Sequence, residues 1–435
     1  MGKRRLCMMR RLLRSALSVL LALTGQGALG ANDAGEFGYS AAAGSVIVNP
    51  AEGAFLAGYG RDRRATGVLD DISVKAAVIG VENELLVLLS IDCIGLTRPD
   101  ILQIQKGIAA SLPQAHVVVS STHTHAGPDV VGLWGAHLWR SGRDDAYMTI
   151  LVDRAVRLAI EVAGQRRPAV SRVASVSAPF DWVENRSEPE LLDQRLAVLQ
   201  MLDDQGQSIV TLTNYACHPT VLDGHNTLVS ADYAAGFYRA MADALPGEHM
   251  FLQGAIGGWV QPLQAGSSYN RALALGESLA DAAQQALQVA QPNPATGLGF
   301  RDSVVDIPLE NWGFRLMMWL GVLDRPSYDG AMRTSVATFR VGNARFMTHP
   351  GETSPAYSFA SRQLADVEHT FILGLTQDAI GYILKPDYFA EEATYPHAEY
   401  LKSVSVGPEA GPRIMSVLHD LLEGAEYEPH ILEQP

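Results

Sequence analysis

The sequence predicts an α/β fold, a single large catalytic domain in which a mixed β-sheet core is flanked by helices. Three observations lead there. Apolar, strand-like runs alternate with stretches of helical spacing along most of the 435 residues. Two of those runs, Leu85–Ile91 and His116–Ser120, are nearly continuous in apolar residues, as in strands covered on both faces. Hydrophobic residues make up 47% and charged residues 18%, a balance suited to a large buried core and unlike that of an extended disordered chain.

Taken in order, residues 1–30 stand apart. Lys3, Arg4, Arg5, Arg10, Arg11 and Arg14 precede the apolar run Ala16–Leu23, and Ala28-Leu29-Gly30 follows with small residues. This is the layout of a secretory signal peptide, so the mature chain is expected to be exported, to the periplasm or beyond the cell. Residues 31–43 read as a flexible lead-in and residues 44–435 as the catalytic domain. Within it, Pro99–Ser111, Tyr147–Gly164, Ala231–Leu245, Arg271–Val289 and Arg413–Glu423 carry helical spacing. Leu196–Leu202 with Ser208–Tyr215, and Val336–Arg340 with Ala344–Thr348, read as hairpins across polar turns. Phe251–Gln253 and Phe371–Leu375 read as further short strands. Gln291–Gly297 (QPNPATG) reads as a surface loop. Trp312–Gly321 (WGFRLMMWLG) either lines an apolar pocket or forms a core helix.

Net charge is −14. Binding a phosphate backbone needs a basic surface, so nucleic acid is excluded as a partner. Cys93 and Cys217, the two cysteines beyond the signal segment, both lie in strand-like apolar runs and read as buried thiols rather than a disulfide.

Four segments carry chemistry. In Thr122-His123-Thr124-His125-Ala126-Gly127-Pro128, two histidines follow a buried strand directly, and in extended backbone residues i and i+2 face one side. Imidazole is the commonest protein ligand for zinc, and a strand end delivers a side chain to a pocket with little slack. Asn214-Tyr215-Ala216-Cys217-His218-Pro219-Thr220 repeats the pattern with one histidine. In Thr348-His349-Pro350-Gly351-Glu352 a strand ends, the chain turns, and a carboxylate follows, either as a neighbour of a helix N-terminus or as an oxygen ligand. Gly374–Ile383 contains Tyr382, which by itself reads as a core aromatic.

In this order the four segments resemble the neutral ceramidase family. THTHAGP is similar to that family's THTHSGP motif, NYACHPT to its second histidine segment, Pro350-Gly351-Glu352 to its PGE segment and Gly374–Tyr382 to its late tyrosine segment. Gly58-Tyr59-Gly60, Gly67-Val68-Leu69-Asp70, Asp92, Asn185-Arg186 and Ser230-Ala231-Asp232-Tyr233 extend the resemblance over residues 44–420. It implies one zinc ion per chain, held by His123, His218, Glu352 and Tyr382, with Tyr388 and Tyr395 close enough in sequence to compete for the last place. It implies catalytic roles for His125 and Arg186 in binding or polarising substrate; beyond the resemblance, Asp232 or Asp378 is expected to orient a ligand histidine. The implied reaction is hydrolysis of a linear amide, as in N-acylsphingosine, with metal-activated water as the nucleophile. The implied partner is a small-molecule or lipid amide, with peripheral membrane contact for substrate access. Other metal-dependent hydrolases, of esters, lactones or glycan amides, and a secreted ligand-binding relative without turnover remain as alternatives.

The chain departs from the family's pattern twice. The family's GDVSP-like segment carries a serine, whereas Gly257-Gly258-Trp259-Val260-Gln261-Pro262 has none, which excludes a serine nucleophile there and makes Trp259 and Gln261 candidate substrate-binding residues. No counterpart of the C-terminal sandwich domain is expected.

Overall fold

The computed structural model describes residues 38–424. The signal segment read over 1–30 and most of the lead-in lie outside them. Nine strands form the main sheet: β1 Tyr39–Ile47, β2 Ser73–Val81, β3 Glu84–Ile91, β4 Ala115–Ser121, β5 Arg167–Ser177, β6 Arg195–Leu202, β7 Ser208–Tyr215, β8 Glu248–Gln253 and β9 Gln291–Asn293. Their order is β8-β7-β6-β5-β1-β2-β3-β4, with β9 also paired to β5. A second sheet holds β10 Arg301–Pro308, β11 Ala331–Val341, β12 Ala344–Thr348 and β13 Thr370–Leu373 in that order. The helices are α1 Arg98–Ala109, α2 Asp145–Gly164, α3 Tyr233–Ala244, α4 Tyr269–Gln288, α5 Trp312–Trp319, α6 Pro355–Ala365, α7 Ala398–Ser403 and α8 Ala410–Glu423.

The alternation of side chains along the strands builds the layers. In β3, Leu85, Val87 and Leu89 join Ile101, Ile104 and Ile108 of α1 in one core, together with residues of α2, α3 and α4. Leu86 and Leu88 point the other way, into a second core with Phe339, Phe346 and Phe371 of the second sheet. Those three rings stack at 4.7 and 4.3 Å. On the far side of the second sheet, Ile414 and Leu418 of α8 pack on Val336, Met347 and Ile372. The result is helix, sheet, sheet, helix, with both faces of β3 apolar because both are covered.

Both expected hairpins form, β6 on β7 and β11 on β12. Two expectations change. Residues 39–43, read as part of the lead-in, belong to β1, where Ala41 and Ala42 are buried and Ser40–Ile47 pairs with β2. Their small side chains give little strand signal; pairing on both edges overrides it. Residues 291–293 of the expected surface loop pair with β5 as β9. No helix among the described residues is long and apolar enough to cross a membrane.

Within the two larger sheets three strand pairs are parallel: β3 with β4, β7 with β8, and β12 with β13. Each is joined through a helix, α1, α3 and α6 respectively. Loops leaving the carboxyl ends of such strands are where α/β folds gather ligands. Here Gln253, at the end of β8, donates through Nε2 to the carbonyls of Thr122 and Cys217, at 3.0 and 2.9 Å. It therefore fastens the loops after β4 and β7 to each other.

Candidate metal centre and cavity

The loop after β4 is held from below. Asp92 accepts hydrogen bonds from the Ser73 backbone N–H and hydroxyl, Thr122 and Tyr238, at 3.0 to 3.2 Å. The chain then turns at His123, whose φ is 72° and whose N–H donates to the Cys93 carbonyl. Non-glycine residues in that region cost energy and concentrate at functional sites. Trp259, Leu375 and Gln377, in the loops after β8 and β13, share the feature.

His123 and His218 are oriented the same way. Nδ1 of His123 lies 2.5 Å from the Ile94 carbonyl, and Nδ1 of His218 lies 2.6 Å from the Val260 carbonyl. A carbonyl only accepts, so Nδ1 carries the proton in each ring and Nε2 of the neutral ring carries a lone pair. Both Nε2 atoms face Oε2 of Glu352, at 3.5 Å from His123 and 3.0 Å from His218. His125 Nε2 lies 3.2 Å from His123 Nε2, while His125 Nδ1 is buried without a hydrogen-bond partner. Nitrogens of the three histidines lie within 4.8 Å of one another, a group that could hold a metal ion.

The electrostatics favour a cation. Burial would raise the Glu352 carboxyl, but His123 and His218 outweigh it and hold it well below the usual carboxylate range. Burial pushes both His218 and His125 toward the neutral ring, and the neighbouring histidines push in the same direction. Two imidazole nitrogens facing one carboxylate oxygen call for a positive charge between them, either a shared proton or a metal ion. The nitrogen and oxygen donors suit a divalent metal ion.

Glu352 and Tyr382 sit side by side as partners in a two-residue parallel ladder. Burial first, and the Glu352 charge second, push the Tyr382 phenol well above its ordinary value. The other two tyrosines go elsewhere: Tyr388 donates to Glu188, Tyr395 donates to Asp387, and the two rings stack at 4.1 Å. Gly257 lets the loop after β8 abut this ladder, donating to the Thr353 carbonyl at 2.7 Å where a side chain would strike the Glu352 backbone.

A cavity of about 110 Å³ runs from this cluster. His123, His125, Glu352, Tyr382 and Tyr400 form its polar end, and Ile94, Leu133, Trp134, Phe314, Leu323 and Val404 are among its apolar walls. His125 is braced at its rim. Gly58, at φ 94°, leaves room for the His125 ring, Tyr59 meets that ring edge-on at 5.0 Å, and Arg63 donates to the His125 carbonyl.

The remaining predicted residues form a neighbouring group off the cavity lining. Arg186 lies over the Trp259 ring at 5.1 Å, and Trp259 packs against Tyr400 at 5.3 Å. Gln261 is buried and donates to Glu184. Asp232 binds the backbone N–H groups of Val221 and Leu222, and Asp378 pairs with Arg325. Neither carboxylate touches a histidine; the ring-orienting acceptors are the two carbonyls, which side-chain motifs do not reveal. Cys93 and Cys217 are buried and free. Tyr400, in a polar stretch without a motif, escaped the sequence reading.

Fold and site together define an α/β protein with a buried three-histidine cluster able to hold a metal ion at the polar end of an apolar cavity. The sequence matches no family model and no curated protein. Solved structures do share the fold. The neutral ceramidase from Pseudomonas aeruginosa aligns at a TM-score of 0.74 and 15% identity, covering 89% of this chain and 74% of that one. A ceramidase complexed with C2 aligns at 0.74 and 15%, covering 89% and 75%. At that identity the likeness is one of fold.

Proposed function

We propose that this chain is a zinc-dependent hydrolase of the linear amide bond in N-acylated, lipid-like substrates, a ceramidase-like activity in an exported protein. The observation that carries it is the convergence of the His123 and His218 Nε2 atoms on Glu352 at the polar end of an apolar cavity. The shared fold with two ceramidases supports the same reading. His123, His218 and Glu352, with Tyr382 beside Glu352, would hold the ion, which when bound supplies a Lewis acid and an acidified water.

The chain's own residues do the rest. The apolar walls take the acyl chain and exclude bulk water from the reacting carbonyl. Cleaving an amide requires a proton on the leaving nitrogen, a requirement a good ester leaving group lacks. His125 would relay that proton: the ring lines the cavity, rests neutral through burial, and can take the proton released by the attacking water and pass it to the leaving nitrogen. Arg186, over the Trp259 ring beside Tyr400, would bind the polar part of the substrate beyond the cavity lining, with Trp259 and Gln261 as further substrate-binding candidates there.

Turnover of a panel of N-acyl amines, N-acylsphingosine among them, tests the reading with and without chelator. The expected result is chelator-sensitive release of free amine, and a His125→Ala variant that keeps its metal but loses turnover. Turnover that survives complete metal removal sinks the proposal.

A further inference from the structure

Two arginines face each other at the end of the second sheet remote from the metal centre. The β11–β12 hairpin pairs Arg340 directly with Arg345 around the Gly342-Asn343 turn. Arg345 lies near the start of β12, and the chain reaches Glu352 only beyond the other end of that strand, at Thr348. Arg301 of β10 stands on the same face, because its register partner is Thr338 of β11 and strand side chains alternate. Like charges directly opposite on neighbouring strands are destabilising. In a chain of net charge −14, with 47 acidic residues to draw on, such an arrangement calls for an anion.

No carboxylate among the described residues supplies it. Arg340 is exposed, and its side chain has neither an ion pair nor a hydrogen bond among them. Arg345 reaches the Thr338 hydroxyl at 3.4 Å, while its Nε is buried without a hydrogen-bond partner. Burial lowers the Arg345 pKa, and Arg340 and Arg301 lower it further. The acidic neighbours do not change this. Glu368 lines the same pocket but is exposed and ion-paired to neither arginine, and Arg195 adds a cation beside it by donating to the Glu368 carbonyl at 2.8 Å. Asp366, on the turn before Glu368, is exposed and lies off the lining. Asp302 is turned to the opposite face of β10 from Arg301.

The pocket that Arg340 and Arg345 line has a volume of about 460 Å³, within the range of small-molecule sites. Its frame is fixed. Gly342, at φ 60°, brings the turn against Asn293, where a side chain would strike the Asn293 amide. Asn293 donates to the Val341 carbonyl at 2.9 Å and accepts from the Asn343 N–H at 2.7 Å, and the Thr296 hydroxyl donates to the Gly342 carbonyl at 3.3 Å. Two guanidinium forks offer paired N–H donors that match phosphate oxygens, and their two charges match those of a phosphate dianion. A single carboxylate would neutralise one of them. We propose that this pocket binds a phosphate dianion, free or carried by a small organic ester, bridged between Arg340 and Arg345. The site is separate from the metal centre, and its occupancy does not depend on amide hydrolysis.

The test is calorimetric titration of the full chain with inorganic phosphate and, separately, with glycerol 3-phosphate, at constant ionic strength, with and without chelator. Saturable binding is expected, and the tighter of the two ligands identifies the source of the phosphate. Arg340→Gln and Arg345→Gln should each raise Kd roughly tenfold or more, and chelator should change nothing. In phosphate-free buffer Arg340→Gln should melt no lower than wild type, because it relieves the cross-strand repulsion. Absence of saturable binding by both ligands overturns the proposal, as does equal affinity in wild type and variants. Binding abolished by chelator assigns the anion to the metal centre and overturns it. Acetate bound as tightly as phosphate defeats the match of two charges to a dianion. A phosphate-free Arg340→Gln that melts below wild type shows the pair to be a structural contact and overturns the proposal too.

Discussion

Replacing Glu352 with glutamine removes the charge on which two imidazole nitrogens converge, at 3.0 and 3.5 Å, while keeping the side chain's size. An ion that binds only the folded chain stabilises it by RT ln(1 + [M]/Kd), about 2.7 kcal/mol at a hundredfold excess over Kd. An unfolding entropy of about 2.1 cal/mol/K per residue, taken over residues 38–424, comes to roughly 0.8 kcal/mol/K. Zinc at that excess should therefore raise the melting midpoint of stripped wild type by about 3 °C. If the amide weakens binding about a hundredfold, as lost ligand support does, the same zinc concentration only matches the new Kd. The stabilisation then falls to roughly 0.4 kcal/mol and the shift to about half a degree. Differential scanning calorimetry of stripped protein titrated with zinc, with metal content measured alongside, makes the comparison without any substrate. An equal shift in Glu352→Gln and wild type would refute the convergence argument. So would a wild-type midpoint indifferent to zinc and to every other divalent cation tried.

Two further outcomes concern buried charge. Arg325 and Asp378 form a two-pronged pair at 3.0 and 2.6 Å with side chains 3% and 0% exposed. Arg325→Met should cost about 3–5 kcal/mol in urea unfolding by stranding the carboxylate, and Arg325→Met/Asp378→Leu should recover most of it; a single variant as stable as wild type would contradict this. His349 is fully buried between Ser361 and Thr353, and burial, then Arg362, lowers its pKa to about 3. Its folded pKa lies below the unfolded value, so the stability it contributes is whole above about pH 6.5. Each pH unit of acidification from there to about 3 lowers the folding constant roughly tenfold. His349→Gln should flatten that acid limb when urea midpoints are compared at neutral and mildly acid pH; an unchanged limb would clear His349 of the role.

The legible parts of the fold were those whose signal is local. Leu85–Ile91 announces itself because seven consecutive residues are apolar apart from Ser90, and the hairpins announce themselves through polar turns between such runs. Strands β2 and β5 were not read, because Lys75 and the arginines and serines of Arg167–Ser177 interrupt the pattern. Long-range pairing supplies what composition withholds: β2 is buried along its whole length, with the Lys75 ammonium ending at Glu248. Trp312–Gly321 combined both readings offered for it, since Phe314 lines the cavity and Met317 joins the core while two tryptophans face outward.

The site divides along the same line. His123, His125, His218, Glu352 and Tyr382 could be picked out because each follows a strand in a recognisable segment, and the structure brings all five to one place. What aims them could not be picked out, because it is backbone. The Ile94 and Val260 carbonyls fix the two imidazoles, and Val260 belongs to the Gly257–Pro262 segment. That segment therefore keeps a positioning task that requires no particular side chain at residue 261. A carbonyl acceptor survives any substitution that leaves the loop's path intact, and Gly257 secures that path by its close approach to the Glu352 backbone. The side chains at 259 and 261 can thus vary while the Val260 carbonyl still turns the His218 ring toward Glu352. The metal-type cluster and the side chains of Trp259 and Gln261 are mechanically separable in this fold.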